Sequence, residues 1–296
     1  MAAKFLLSRR SFVKTGLLFV PTIFSGGIHG AVRLSALEPE VNAWMGRVVT
    51  NGGHYTSLAV VASDTAVKMA RSIRSKILRW NLYCGSDLLC CAAPVINDSG
   101  STVDTLTNFV SGDYSQATGL VGNGTTKTVS TGFIPVTHWT SDNDCCMGVY
   151  LLSKTSAADY VIGAINGAGH ACYMSIAYVG TTNYGSMFSI AGGSDYATGA
   201  DSAGLGHYMT CRNASNSLVI YKNGVSQYST ATPAGTRPTD LTFNIIVHAA
   251  LVAGVVSAAS NRAFGGYNIC KGFSASDAVV FYNAVQRANT ILARQV

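Results

Sequence analysis

The residues with the most chemical promise are two acids, Asp142 and Asp144, in the run Ser141-Asp142-Asn143-Asp144. Two carboxylates on one strand face could work as acid and base on a glycosidic bond. The same pair, or Asp195 with Asp201, could instead hold Ca²⁺ through oxygen ligands. A polar loop is the simpler structural reading of Ser-Asp-Asn-Asp. Glutamate, the usual acid of sandwich glycosidases, occurs only at Glu38 and Glu40, so the E-x-D-x-x-E pattern is impossible in the later chain. His170 with Cys172, and His207 with Cys211, have the look of metal pairs, although packed strand residues account for them equally well. No G-x-S-x-G, H-E-x-x-H or P-loop pattern occurs.

Recognition chemistry has more to work with than catalysis. Trp139, Tyr178, Tyr184, Tyr196 and Tyr208 fall in or near inferred loops. Sandwich loops often carry recognition, and aromatic faces suit sugar rings. Each of these rings also reads as core or edge packing. The eight cysteines, Cys84, Cys90, Cys91, Cys145, Cys146, Cys172, Cys211 and Cys270, contain no CxxC and include two adjacent pairs. That spacing suits neither a zinc ribbon nor a thioredoxin motif. Disulfides are permitted in an exported chain, with no connectivity legible, and small buried apolar residues are the plain reading for most.

The elements that must position these residues are mostly short β-type runs. Candidate strands lie at Cys145–Leu152, Tyr160–Ala164, Ala171–Tyr178, Ser186–Ala191, His207–Arg212, Ser217–Lys222, Val225–Ser229 and Leu241–Ala250. Many short strands at regular spacing indicate an antiparallel sandwich or barrel. Asn223-Gly224 supplies the positive φ angles of a two-residue hairpin. The stretch from Gly119 to Phe133, rich in Thr and entered through glycines, reads as the opening strand of a sandwich. The apolar run Ile245 to Ala259 is too short for a membrane helix and reads as a buried strand with its exit.

Helices bracket the β region. Pro39 and Glu40 start one that stops at Asn51-Gly52-Gly53. A second starts near Ser57, with Ala66, Met69, Ala70, Ile73 and Ile77 as its apolar stripe and Lys68, Arg71 and Ser75 on a solvated face. Ser274 and Asp277 form a box-like start for a C-terminal helix. Ahead of all this, Ser8-Arg9-Arg10-Ser11-Phe12-Val13-Lys14 and the apolar run Leu17–Phe24 resemble a twin-arginine export signal. The run is broken by Pro21 and too short to span a bilayer, so no integral membrane span is expected. Candidate cleavage sites before Ala31 or after Ala36 are poor imitations of A-x-A, and a retained leader could act as an anchor. The expected organisation is a leader over 1–33, a helical segment over 34–102 and a β-sandwich over 103–296.

Composition removes other classes. Charged residues are only 11% of 296, and mean hydropathy is +0.26, which excludes a disordered polyelectrolyte. The formal charge of +6 comes from the first 79 residues; beyond them nine basic residues face eleven aspartates. A nucleic-acid footprint needs a basic stripe, and the β region has none.

Several pieces taken together resemble a known group: Asn81-Leu82-Tyr83-Cys84-Gly85, Asn108 to Tyr114, Gly119 to Lys127, the Tyr221-to-Val225 hairpin, and the closing helix after Phe273. The chain is similar to bacterial and phage-associated proteins with a helical N-terminal part and a concanavalin-like (laminin-G-like) jelly roll. The resemblance implies a mainly β, antiparallel two-sheet sandwich with a virion-surface or otherwise exposed role, and it brings no catalytic residue. The twin-arginine-like leader departs from a virion protein, which has no need of export.

The expected function is a non-enzymatic surface protein whose jelly roll binds glycan or mediates assembly, as in a phage tail fibre or an exported adhesin. The expected ligand residues are Trp139, Tyr178, Tyr184, Tyr196 and Tyr208. No cofactor is required, with Ca²⁺ at Asp142 and Asp144 the one metal considered. Partners are a glycan or other surface or virion proteins, including further copies of the chain. A divergent glycan-cleaving enzyme using Asp142 and Asp144, and a purely structural assembly subunit, are the alternatives.

Overall fold

In the computed structural model the described residues are 36–154, 159–166, 168–179, 182–189, 196–200, 204–231 and 239–296. The twin-arginine-like leader, Asp195 and Asp201 lie outside them. Residues Leu37–Val296 form one unit. It is an antiparallel sandwich of two nine-stranded sheets with helices on one side.

The first sheet runs Val225–Thr230, Ser217–Lys222, Gly206–Ala214, Cys145–Leu151, Ala263–Cys270, Ile77–Asn81 and Ile96–Asn97, in that spatial order. Helices Pro39–Thr50, Ser57–Met69 and Ala275–Ile291 supply apolar side chains to its back, making one core with Cys146, Tyr150, Met209, Cys211 and Cys270. A second core, between the sheets, takes the alternate residues Cys145, Met147, Val149 and Leu151. Alternation thus sends neighbours into two different cores, which explains why every residue of Cys145–Leu151 is buried. We call this the covered sheet. Cys146 and Cys211 face each other in register across it and form a disulfide; the other six cysteines are all buried.

The second sheet runs Tyr196–Ala200, Thr182–Ser189, Ala171–Val179, Tyr160–Ile165, Ile246–Val247, Thr128–Ser130 and Thr105–Thr107. Its inner residues Ile162, Cys172, Met174, Ile176 and Met187 complete the inter-sheet core. Among the described residues no helix contributes a packed layer to its other side. We call this the open sheet.

Several expectations need correcting. The Gly119–Phe133 stretch is not one strand. Gly119–Val121 joins the covered sheet at Ala263 and Phe264, whereas Thr128–Ser130 pairs in the open sheet. Between them Asn123 turns the chain: its side-chain oxygen accepts from the backbone N–H of Thr125, Thr126 and Lys127 at 2.9–3.0 Å. Gly122 is needed there, because a Cβ would lie 2.0 Å from the Ser260 carbonyl oxygen.

The second helix ends at Met69, a 3₁₀ segment spans Arg71–Lys76, and Ile77 already belongs to a strand. Met69 is therefore exposed while Ala66, Ala70 and Ile73 are buried. The basic face is solvated, as at Arg71, and is also paired. Arg71 pairs with Glu38, Arg74 with Glu40 at 2.6 Å and Asp98 at 2.7 Å, and Lys76 with Asp277 at 2.7 Å. These pairs tie the helices to one another and to the end of the strand Ile96–Asn97.

The strand Ala263–Cys270, central to the covered sheet, had no clear signal, because Gly265, Gly266 and Asn268 interrupt its apolar run. The glycines let neighbours approach: a Cβ at Gly266 would lie 2.3 Å from the Asn81 carbonyl oxygen. The run Leu241–Ala250 is a strand only at Ile246–Val247 before it leaves the core as a hairpin, Ala250–Val252 and Val255–Ser257. The expected capping box, hairpin turn and first helix form as read: Ser274 and Asp277 bond reciprocally, Asn223 and Gly224 have φ of 51° and 78°, and Pro39 opens its helix.

Candidate functional site

The open sheet presents tyrosines to solvent. Cys172, Met174 and Ile176 point into the core, so the alternation places Tyr173 on the outer face. Gly185 marks the inner face of the neighbouring strand, since a Cβ there would meet Thr210 and Ile220 of the covered sheet. Tyr184 therefore faces outward. Tyr160 joins the same face, its ring 5.3 Å from that of Tyr173 and nearly perpendicular to it. All three tyrosines are partly exposed.

Register orders them. Tyr160, Ser175 and Tyr184 form one row across three strands, and Gly163, Tyr173 and Ser186 form the next, with Ser186 opposite Tyr196. Rings thus alternate with small residues in both directions. Ser175 and Ser186 are fully buried beneath this layer. The rings above them are partly exposed, and aromatic rings of this kind suit stacking on a sugar.

A buried ion pair holds the row in place. Arg262 starts at the covered sheet and reaches Asp159, beside Tyr160, at 3.0 Å; both side chains are almost completely buried. Its guanidinium also donates to the carbonyl of Ile176 at 2.7 Å, and the Ser175 hydroxyl donates to the Asp159 carbonyl. Burial raises the Asp159 pKa, and the charge and hydrogen bonds of Arg262 oppose that rise. At the turn joining Tyr160–Ile165 to Ala171–Val179, His170 Nδ1 lies 2.8 Å from Asp240 and 3.2 Å from Asn166. This turn adds partly exposed polar groups to the end of the tyrosine face.

The residues expected from sequence are dispersed. Trp139 and Tyr208 are interior, at 1% and 0% exposure. Trp139 Nε1 donates to the Cys270 carbonyl at 2.8 Å and its ring packs against Phe133 and Phe188. Neither ring offers a face to a ligand. Tyr184 is on the outer face. Tyr178 and Tyr196 lie on strands of the open sheet, and their side chains are outside the described residues. Tyr160 and Tyr173 were missed, although the period-two pattern Cys172, Met174, Ile176 assigns Tyr173 to the opposite face.

Most of the acids hold the fold together. Asp144 accepts from the backbone N–H of Gly272 at 2.8 Å, tying its loop to the entry of the last helix, while the Asp142 carbonyl accepts from the Cys145 thiol. Both glutamates hold arginines, and Asp104 lies buried against Arg79 at 2.7 Å. Among the described residues no three His, Cys, Asp or Glu side chains converge as a metal site requires. The proposed metal pairs separate: Cys172 is in the inter-sheet core while His170 is on a turn, and Cys211 is in the disulfide. One Ser-His-Asp grouping exists at Ser86, His54 and Asp87. It is wired for a turn, since the Ser86 hydroxyl donates to the His54 carbonyl at 2.7 Å rather than to the imidazole.

No family model and no curated protein sequence matches the chain. Solved structures do. The carbohydrate-binding module CBM40 of Ruminococcus gnavus IT-sialidase, bound to α2,3-sialyllactose, is 11% identical, with a TM-score of 0.38 over 46% of this chain and 80% of that one. Domain 4 of AbnA, a GH43 extracellular arabinanase of Geobacillus stearothermophilus, in complex with arabinotriose, is 15% identical, with a TM-score of 0.39 over 62% of this chain and 82% of that one. An HCR/D F1240A mutant is 11% identical, with a TM-score of 0.46 over 71% of this chain and 51% of that one. These are distant likenesses of fold, and they transfer no ligand to this chain.

Proposed function

We propose that the protein is a non-enzymatic glycan-binding module acting at a surface outside the cytoplasm, as an exported adhesin or a virion surface component, and that the open sheet is its binding face. The observation behind this reading is the checkerboard of Tyr160, Tyr173 and Tyr184 with Gly163, Ser175 and Ser186 on a sheet face that, among the described residues, no helix covers. Sugars bind through ring stacking on their apolar C–H faces and hydrogen bonds at their hydroxyls. The tyrosines supply the first, and His170 and Asp240 supply polar partners at one end. Asp144 anchors Gly272 and both glutamates hold arginines, which favours binding over hydrolysis. The Cys146–Cys211 disulfide fits maturation in an oxidising compartment, in keeping with the twin-arginine-like leader.

The test is a glycan array probed with the full chain. The strand Ile77–Asn81 comes from the helical segment and lies within the covered sheet, so a 103–296 fragment would lack part of its fold. Binding to a restricted set of glycans, lost in the Tyr173→Ser and Tyr184→Ser double variant at unchanged Tm, is expected. Absence of binding above background, or binding that survives both substitutions, removes the reading.

A further inference from the structure

Among the described residues three β-hairpins have two-residue tips, Ser215-Asn216, Asn223-Gly224 and Ala253-Gly254, and the third differs in chemistry from the other two. One tip is Asn223-Gly224, the polar pair that positive φ favours. The apolar one is Ala253-Gly254, with φ of 50° and 82°. Asparagine suits the first position of such a turn better than alanine does. Alanine there leaves the tip without a polar side chain.

The lack of polarity extends along the ribbon. Residues 245–261 include no Asp, Glu, Lys or Arg. Burial keeps the one titratable group, His248 at the root, neutral, with its pKa lowered to about 3. From that root the ribbon runs alongside the strand Tyr160–Ile165, with Leu251 beside Ala164 and Val252 beside Ile165. Its far end is bare: Val255 is 68% exposed and Val256 38%. Phe243 stiffens it, since a Cβ at Gly254 would meet that ring at 3.3 Å.

We propose that this hairpin tip, Ala253 to Val256, is a wedge that enters the headgroup–acyl boundary of a lipid bilayer. Its size favours lipid over protein. A stable protein interface takes about 800 Å² and 20 or more residues from each partner, and the tip offers four. Four residues bury less apolar surface than a myristoyl chain, whose binding is itself marginal and reversible, so the insertion is weak and is read at millimolar lipid. Because the ribbon flanks the strand of Tyr160, the ligand class that uses both features is a saccharide carried on a lipid. That last step rests on the glycan reading, whereas the wedge does not.

Val255→Trp in the full chain reads the wedge directly, because Trp44, Trp80 and Trp139 are buried at 0–1% exposure and give a constant background. With phosphatidylcholine vesicles at millimolar lipid, the emission is expected to shift to the blue and to be quenched by phosphatidylcholine brominated on its acyl chains. Adding Ala253→Asn, which suits the positive φ and preserves the fold, should reduce both effects severalfold at unchanged Tm. An unchanged spectrum overturns the wedge, as does a blue shift that lipid does not cause and that follows protein self-association in light scattering. A positive vesicle result with an empty glycan array removes the glycan reading and leaves the wedge. The reverse pair of results removes the wedge alone.

Discussion

In the covered sheet, the strand Cys145–Leu151 sends Cys145, Met147 and Val149 toward the other sheet and Cys146 and Tyr150 toward the helices. In the open sheet, the strand Ala171–Val179 sends Cys172, Met174 and Ile176 inward, while Tyr173 faces out and is partly exposed. The backbones are alike and the second faces differ. A strand buried on both sides is committed to packing, and each of its side chains answers to a core. A strand with one face in the core turns every second residue to the other face, and here those positions hold partly exposed rings over buried small residues. The covered sheet therefore carries two cores, and the open sheet is the face on which the proposed binding site would lie.

The largest effect expected from breaking the covered side comes from Arg79. Its guanidinium is fully buried and bonds Asp104, Asn97 and the carbonyls of Ser99 and Ser101, with the Tyr267 hydroxyl completing the network. Asp104→Ala leaves that cation unpaired and should cost about 3–5 kcal/mol, measured by urea denaturation. Next, removing the disulfide with Cys146→Ser and Cys211→Ser should cost about 2–4 kcal/mol. The glycan array should show no change in the specificity of that variant.

Acid sharpens the comparison further. His207 on the covered sheet and His248 at the root of the hairpin are fully buried, and desolvation lowers their pKa values to about 4 and about 3. The ordinary value is 6.5. Both are neutral in the fold, so the unfolded chain binds more protons below about pH 6.5. Stability should therefore decline as pH falls from about 6.5 toward 4, with His207→Gln flattening part of that decline in Tm against pH. The smallest stability effect belongs to the open face: Tyr184→Ser should change Tm little, within about 1 kcal/mol, yet reduce glycan affinity about tenfold.

How far the chain could be read in advance follows the same division. Elements set by local chemistry were legible: Pro39 at a helix start, the Ser274 and Asp277 box, Asn223-Gly224, and the alternating run from Ala171. Elements decided by tertiary contact were not. Ala263–Cys270 hides behind Gly265 and Gly266, whose purpose is visible only when Asn81 and the last helix lie against them. Ile77 continued a helical stripe in sequence, and only its pairing with Cys270 shows it to be in a strand. The aromatic residues nearest to loops drew attention, and Trp139 and Tyr208 proved to be interior. Tyr160 and Tyr173 became a face only through register, because Tyr160 opposes Ser175 while Tyr173 opposes Gly163.

The most direct measurement is amide chemical-shift mapping of the ¹⁵N-labelled full chain with the strongest ligand from the array. The account predicts perturbations concentrated at Tyr160–Ile165, at Ala171–Ser175 and around Tyr184, with the interior of Cys145–Leu151 and the last helix unmoved. Perturbations confined to the helices, or to the Ser141–Asp144 loop with the tyrosine strands silent, would contradict it.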